Sequence, residues 1–168
     1  GVQTCALPIC GGIDSYRSTV DITESTVSGN SAGEGGGIYA FYSRTTIKNS
    51  LITGNTAVEN GGGIASNYGS LYSSNLRLYN STVSGNSAGE NGGGIYNEGA
   101  ATILNSTISG NSANGNGGGL FRGRTPSPMV KNSIISGNTA SAGNEIFDAF
   151  DAIVPSPYFD PIDANANN

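Results

Sequence analysis

The sequence predicts an all-β fold: a parallel β-helix, or β-solenoid, of about five coils, each roughly 25–31 residues long. Three observations carry that expectation. A Gly-Asn or similar corner recurs with its Asn at Asn30, Asn55, Asn86, Asn111 and Asn138, at spacings of 25, 31, 25 and 27 residues. Aliphatic residues keep fixed offsets from that Asn. The chain also holds 27 Gly, and its apolar residues come in strand-length bursts rather than in the long 3.6-period runs that a helix needs.

The offsets define columns. Ile22, Ile47, Leu78, Ile103 and Val130 lie eight residues before each Asn, and Val27, Ile52, Val83, Ile108 and Ile135 lie three before it. Ala32, Ala57, Ala88, Ala113 and Ala140 follow two residues after; Ile38, Ile64, Ile95, Leu120 and Ile146 follow eight or nine after. Coils of a solenoid stack at roughly 4.8 Å, so these sets are expected to line the interior. A leucine-rich repeat of this length would show Leu-x-x-Leu-x-Leu, which is missing, and helical repeats do not tolerate so much glycine. The triplets Gly35–Gly37, Gly61–Gly63, Gly92–Gly94 and Gly117–Gly119 fit a corner needing positive φ or close approach between coils. Two Asn sets suit turns that accept left-handed backbone and can form amide ladders up the stack. One is the corner set above; the other is Asn49, Asn80, Asn105 and Asn132, with Glu24 in the first copy.

The ends depart from the pattern. Residues 1–9 share nothing with the repeats and look like the translation of a common short-read sequencing adapter, so residues 1–10 are expected to be a scar on a metagenomic fragment. On that reading Cys5 has no biological meaning, Cys10 straddles the junction, and any signal peptide would lie outside the fragment. The repeats are expected over 11–147. Residues Asn67–Ser74 form an insertion of about six residues, expected as a surface loop. The fifth copy reads Gly143-Asn144-Glu145 where the others have Gly-Gly-Gly. Residues 148–168 then read as a cap or the start of another segment, with Phe147, Phe150, Tyr158 and Phe159 as candidates to cover the last coil.

Composition excludes several functions. A net charge of −5 argues against nucleic acid, which calls for a basic face. No His is present, which removes the commonest general base and metal ligand, and no run is long enough for a membrane-spanning helix.

Gly-Gly-Gly-Ile or Gly-Gly-Gly-Leu at 35–38, 61–64, 92–95 and 117–120, combined with corners such as Val27-Ser28-Gly29-Asn30, resembles the right-handed parallel β-helix repeats of bacterial surface proteins. Within the pectate-lyase-like superfamily it is similar to polymorphic outer membrane protein repeats, which alternate Gly-Gly-Ala-Ile with Phe-x-x-Asn. Here Val or Ile stands where that family has Phe. The resemblance covers about residues 13–147 and implies a right-handed helix in an exported, extracellular or cell-surface protein, often an adhesin or autotransporter passenger.

Three constellations are candidates for chemistry. Polysaccharide lyases and glycosidases with this fold use clustered carboxylates. Here every Asp (Asp14, Asp21, Asp148, Asp151, Asp160 and Asp163) lies toward an end, and Arg44, Arg77, Arg122 and Arg124 share no column. No catalytic residues are therefore assigned, and a carbohydrate-active enzyme with its catalytic coils elsewhere remains the alternative. Glu34, Glu59 and Glu90 precede Gly triplets and are expected in one acidic column that could share Ca2+; the plainer reading is solvated glutamates with no cofactor. Tyr39, Tyr96, Phe121 and Phe147 each follow an inward aliphatic, so they are expected to point outward as an aromatic column. Its gap is Ala65, which Tyr68 or Tyr72 from the insertion could cover. Such a stripe suits a glycan, or a host- or neighbouring-cell surface protein. Asn80-Ser81-Thr82 and Asn105-Ser106-Thr107 match the glycosylation pattern but read as by-products of the repeat. The expected function is a non-catalytic structural and adhesive rod.

Overall fold

The computed structural model describes residues 11–67, 75–123 and 128–149. Strands, turns and bends account for its secondary structure, and none of the described residues is helical. The first coil contains β1 (Ile13–Tyr16), β2 (Thr19–Thr23), β3 (Thr26–Ser28) and β4 (Ser31–Ala32). The second repeats it as β5 (Ile38–Phe41), β6 (Arg44–Lys48), β7 (Leu51–Thr53) and β8 (Thr56–Ala57). The third has β9 (Ile64–Asn67), β10 (Asn75–Tyr79), β11 (Thr82–Ser84) and β12 (Ser87–Ala88), and the fourth β13 (Ile95–Asn97), β14 (Ala100–Leu104), β15 (Thr107–Ser109) and β16 (Ser112–Ala113). The fifth contributes β17 (Leu120–Arg122), β18 (Met129–Lys131) and β19 (Ile134–Ser136), and β20 (Ile146–Asp148) follows.

Each strand pairs in parallel with its counterparts one coil away, giving sheets of six, five, five and four strands. We call these A, B, C and D in the order that a coil visits them. The registers reproduce the sequence columns: Ile47 pairs with Ile22 and Leu78, Ile52 with Val27 and Val83, and Ile64 with Ile38 and Ile95. These side chains form one axial core, complete in the middle coils and thinner at the ends. Ile47, Ile52, Ile95, Ile103 and Ile108 are fully buried, whereas Val130, Ile135 and Ile146 of the last coil are only half-buried. Full burial of each such side chain contributes roughly 1.5–3 kcal/mol.

The corners divide the labour that the sequence left combined. Between sheets B and C the left-handed residue is Glu24, Asn49, Asn80, Asn105 or Asn132, with φ of 48–51°. Between C and D it is the glycine before each corner Asn (Gly29, Gly54, Gly85, Gly110 and Gly137), not Asn30, Asn55, Asn86, Asn111 or Asn138 themselves. The corner Asn set thus has no special backbone. Its selection comes from the interior ladder: Asn30, Asn55, Asn86 and Asn111 each donate from Nδ2 to Oδ1 of the next corner Asn at 2.9–3.0 Å. Each backbone N–H donates to the same Oδ1 at 3.0 Å, which fixes the orientation of every amide. The other Asn set is exposed and makes a single longer rung, Asn80 Nδ2 to Asn49 Oδ1 at 3.3 Å. Its neighbours Ser50, Ser81 and Ser106 hold that corner instead, each hydroxyl accepting a backbone N–H from the preceding coil and donating to the carbonyl two residues back.

The D-to-A corner uses glycine twice over. Gly92 has φ 67°, and a Cβ on Gly93 would stand 2.3 Å from the Ser112 carbonyl oxygen of the next coil. Successive coils touch backbone to backbone there.

Candidate functional site

The candidate site is the outer face of sheet A, beside the A-to-B corner. Strand alternation buries Ile38 and Ala40 while presenting Tyr39 and Phe41 outward. Registers then align Asp14, Tyr39, Ala65, Tyr96, Phe121 and Phe147 in one row, with Tyr16, Phe41 and Asn67 in the row beside it.

The aromatic row splits at Ala65. Tyr96 and Phe121 stack with centroids 4.9 Å apart and planes 9° from parallel, and Phe121 and Phe147 do so at 5.5 Å and 14°. These rings cover one another's faces and are half-buried, so the outward-facing column presents ring edges. Phe147 belongs to this outer stack, which corrects its expected role in covering the last coil; there Ile146 points inward. Ala65 in the gap is fully buried. Tyr68 and Tyr72, expected to cover it, lie outside the described residues, as do Phe150, Tyr158 and Phe159.

A second aromatic group occupies the first two coils. Tyr16 stacks on Phe41 at 5.8 Å, Phe41 lies beside Tyr39 at 6.2 Å, and Tyr42 meets Phe41 edge-on at 4.3 Å. The Arg17 guanidinium sits over the rings of Tyr16 and Tyr42, 5.3 and 5.6 Å from their centroids. Tyr16 is 61% exposed. Sequence reasoning missed this group, although Phe41 lies two residues after Tyr39 in the same strand and therefore on the same face.

The face is polar as well as aromatic. Tyr96 donates its hydroxyl to Glu98 Oε1 at 2.8 Å. Asn67 and Asn60 each donate to a carboxylate oxygen of Glu34, at 3.1 and 3.2 Å. Burial, followed by the Glu98 contacts, pushes the Tyr96 phenol well above its ordinary range. Burial, followed by the charges of Glu34 and Asp14, raises Tyr39. Both phenols are held neutral, and Tyr96 is held as a hydrogen-bond donor to Glu98.

The expected acidic column is not formed. Glu34 immediately precedes its Gly triplet, whereas Asn60 and Asn91 intervene after Glu59 and Glu90. Register therefore places Glu34 at the head of a second amide ladder, in which Asn116 donates to Asn91, Asn91 to Asn60 and Asn60 to Glu34, at 3.1, 3.0 and 3.2 Å. Glu59 and Glu90 stand in the neighbouring column, exposed, with the Glu90 N–H donating to the Glu59 carbonyl. Among the described residues no three carboxylate, thiol or imidazole groups converge on a position for a metal ion.

Beneath the same corner the interior is polar. Ser15, Ala40, Ser66, Asn97 and Arg122 follow one another inward on sheet A, and Arg122, 4% exposed, forms an ion pair with Asp148 one coil on. This pairing gives Arg122 a structural role in holding β20 to β17.

Residues 24–40 and 80–98 match the Chlamydia polymorphic membrane protein repeat. Each matched stretch runs from a B-to-C corner through the Gly triplet into sheet A, and so contains the strands of sheets C, D and A but not that of sheet B. With the stacked parallel sheets, the match supports β-helix repeats of the polymorphic-membrane-protein kind, and the similarity suggests a cell-surface, outer-membrane repeat protein. No curated protein and no solved structure matches the chain. Among the described residues no helix is long and apolar enough to cross a membrane, which leaves membrane-spanning strands unaddressed.

Proposed function

We propose that this chain is part of an exported, non-catalytic rod, displayed on a cell surface, that binds carbohydrate along the outer face of sheet A. The observation supporting this reading is the concentration of exposed and half-buried rings on that single face, interleaved with fixed polar groups. Tyr39, Tyr96, Tyr16, Phe41 and Tyr42 supply apolar edges, while Glu34, Glu98 and Asn67 supply oriented acceptors and donors. Sugars are recognised by a mixture of apolar aromatic surface and directed hydrogen bonds. The carboxylates along the face favour a neutral glycan over a polyuronate. The match to a surface-protein repeat is consistent with the location.

Binding of the purified chain to an immobilised panel of neutral and acidic glycans tests the reading. Neutral glycans should bind, and Tyr39→Ala and Phe41→Ala should each weaken binding about tenfold, on the order of 1.4 kcal/mol. Binding only to cell-surface proteins would reassign the face to a protein partner. Release of unsaturated products from pectin or another polyuronate would refute the non-catalytic reading outright.

A further inference from the structure

In each coil that carries another on its C-terminal side, glycine stands just before the inward aliphatic of sheet A: Gly12, Gly37, Gly63, Gly94 and Gly119. The reason is contact between coils. A Cβ on Gly37, Gly63, Gly94 or Gly119 would stand 2.7, 2.6, 2.7 or 2.5 Å from a backbone carbonyl oxygen of the next coil. It would also stand 2.9, 3.0, 2.9 or 2.8 Å from the side-chain nitrogen of that coil's ladder Asn. A side chain at this position and a stacked neighbour exclude each other.

The sixth position of this column, where the fifth coil ends, is Glu145, just before Ile146. Its carboxylate supplies what a following coil supplies elsewhere. Asn138 Nδ2 donates to Glu145 Oε2 at 2.6 Å, the same bond that Asn30, Asn55, Asn86 and Asn111 give to the Oδ1 of the next coil. The preceding residue acts likewise. Asn144 stands where Gly36, Gly62, Gly93 and Gly118 stand, and its Oδ1 accepts the Ala140 N–H at 2.8 Å. One coil earlier, the Ala113 N–H gives that bond to the Thr139 carbonyl of the next coil at 2.9 Å.

We infer that Asn144 and Glu145 form a stacking terminator: an end surface that satisfies its own ladder and refuses a like coil, whether from this chain or from a second copy of it. Exposed parallel edges template further strands, and an inward-pointing charged side chain is an effective block. Here the block also supplies two of the hydrogen bonds that the edge would otherwise take from a neighbour, to Asn138 Nδ2 and to the Ala140 N–H.

The test is a graft in the full chain. A second copy of residues 95–119 is inserted after residue 145 in two backgrounds, one keeping Asn144-Glu145 and one carrying N144G/E145G. Thermal unfolding should show the Gly-Gly chain melting no lower than the parent, and the Asn-Glu chain melting at least about 5 °C below it. Equal melting of the two grafts, or failure of the Gly-Gly graft to fold, overturns the inference. Without the graft, N144G/E145G should self-associate with rising concentration in sedimentation, where the parent keeps a single-chain mass. Association of the parent to the same degree would show that these two side chains refuse nothing.

Discussion

Two corners of each coil are built on opposite terms. The C-to-D corner is the same two residues in every coil, a left-handed Gly followed by the ladder Asn, and Asn55, Asn86, Asn111 and Asn138 are nearly or fully buried there. The A-to-B corner varies from Arg17-Ser18 through Tyr42-Ser43 and Glu98-Gly99 to the insertion after Asn67. One corner is fixed because each Asn bonds the coils on either side, so a change in one is felt in three. The other is free because the coils are joined there mainly through backbone N–H and carbonyl groups, such as Tyr42 N–H to the Asn67 carbonyl and Glu98 N–H to the Ser66 carbonyl, which any side chain can supply. The aromatic and carboxylate side chains of the candidate site flank the free corner. A stacked scaffold can vary only where stacking does not depend on the residue, and that is where binding residues collect.

The largest expected effect comes from exchanging these terms. A short Gly-Ser insertion between Gly85 and Asn86 should abolish cooperative folding, because Asn86 can no longer sit between Asn55 and Asn111. The same insertion between Glu98 and Gly99 should cost only about 1 kcal/mol of loop entropy. Similar melting curves by circular dichroism would erase the distinction between the corners. Next in size is the contrast between the two Asn sets. Asn86→Ala removes four buried hydrogen bonds, to Asn55, Ile52 and Asn111, and should cost about 3–5 kcal/mol. Asn80→Ala removes one exposed bond and replaces Asn, whose short polar side chain eases left-handed backbone, with Ala at φ 48°, for about 1 kcal/mol, which Asn80→Gly should largely restore. Urea titration of the three variants measures both differences. Comparable losses at Asn86 and Asn80 would mean that the interior ladder contributes no more than an ordinary turn.

The same contrast explains what could be read in advance. The Ile47, Ile52 and Ile64 columns were legible because register in a solenoid equals offset in sequence. The roles within a corner were less so. Gly29 and Asn30 are adjacent, and composition alone does not say which is left-handed and which is the ladder. Glu34 directly precedes its Gly triplet, whereas Glu59 and Glu90 stand one residue further back, so only a count from the first Gly of each triplet separates their columns. The Tyr16–Phe41–Tyr42 group lies in rows that change identity from coil to coil, so no repeated residue marks it. The Arg122–Asp148 pair was equally hidden, since it occurs once and joins coils through an interior that pattern alone describes as apolar.

The smallest prediction concerns the outer face alone. Tyr96 and Tyr39 are held protonated in the folded chain, chiefly by burial and then by neighbouring carboxylates, while unfolded tyrosine titrates near 10.0. Below that pH both states keep the proton and the phenols contribute no pH dependence. Above it the unfolded chain releases protons that the folded chain retains, so the unfolded state binds fewer protons and stability falls as pH rises. The Tyr96→Phe variant should lose part of this alkaline decline, and Tyr39→Phe/Tyr96→Phe more of it. At neutral pH, Tyr96→Phe forfeits only the bond to Glu98, at most about 1 kcal/mol. Urea titrations at neutral pH and at successive steps above pH 10.0 separate the two contributions. An alkaline decline of the same size in the parent and the double variant would mean that these phenols are as free to ionise as tyrosine in an unfolded chain. The polar half of the candidate site would then not be held in place.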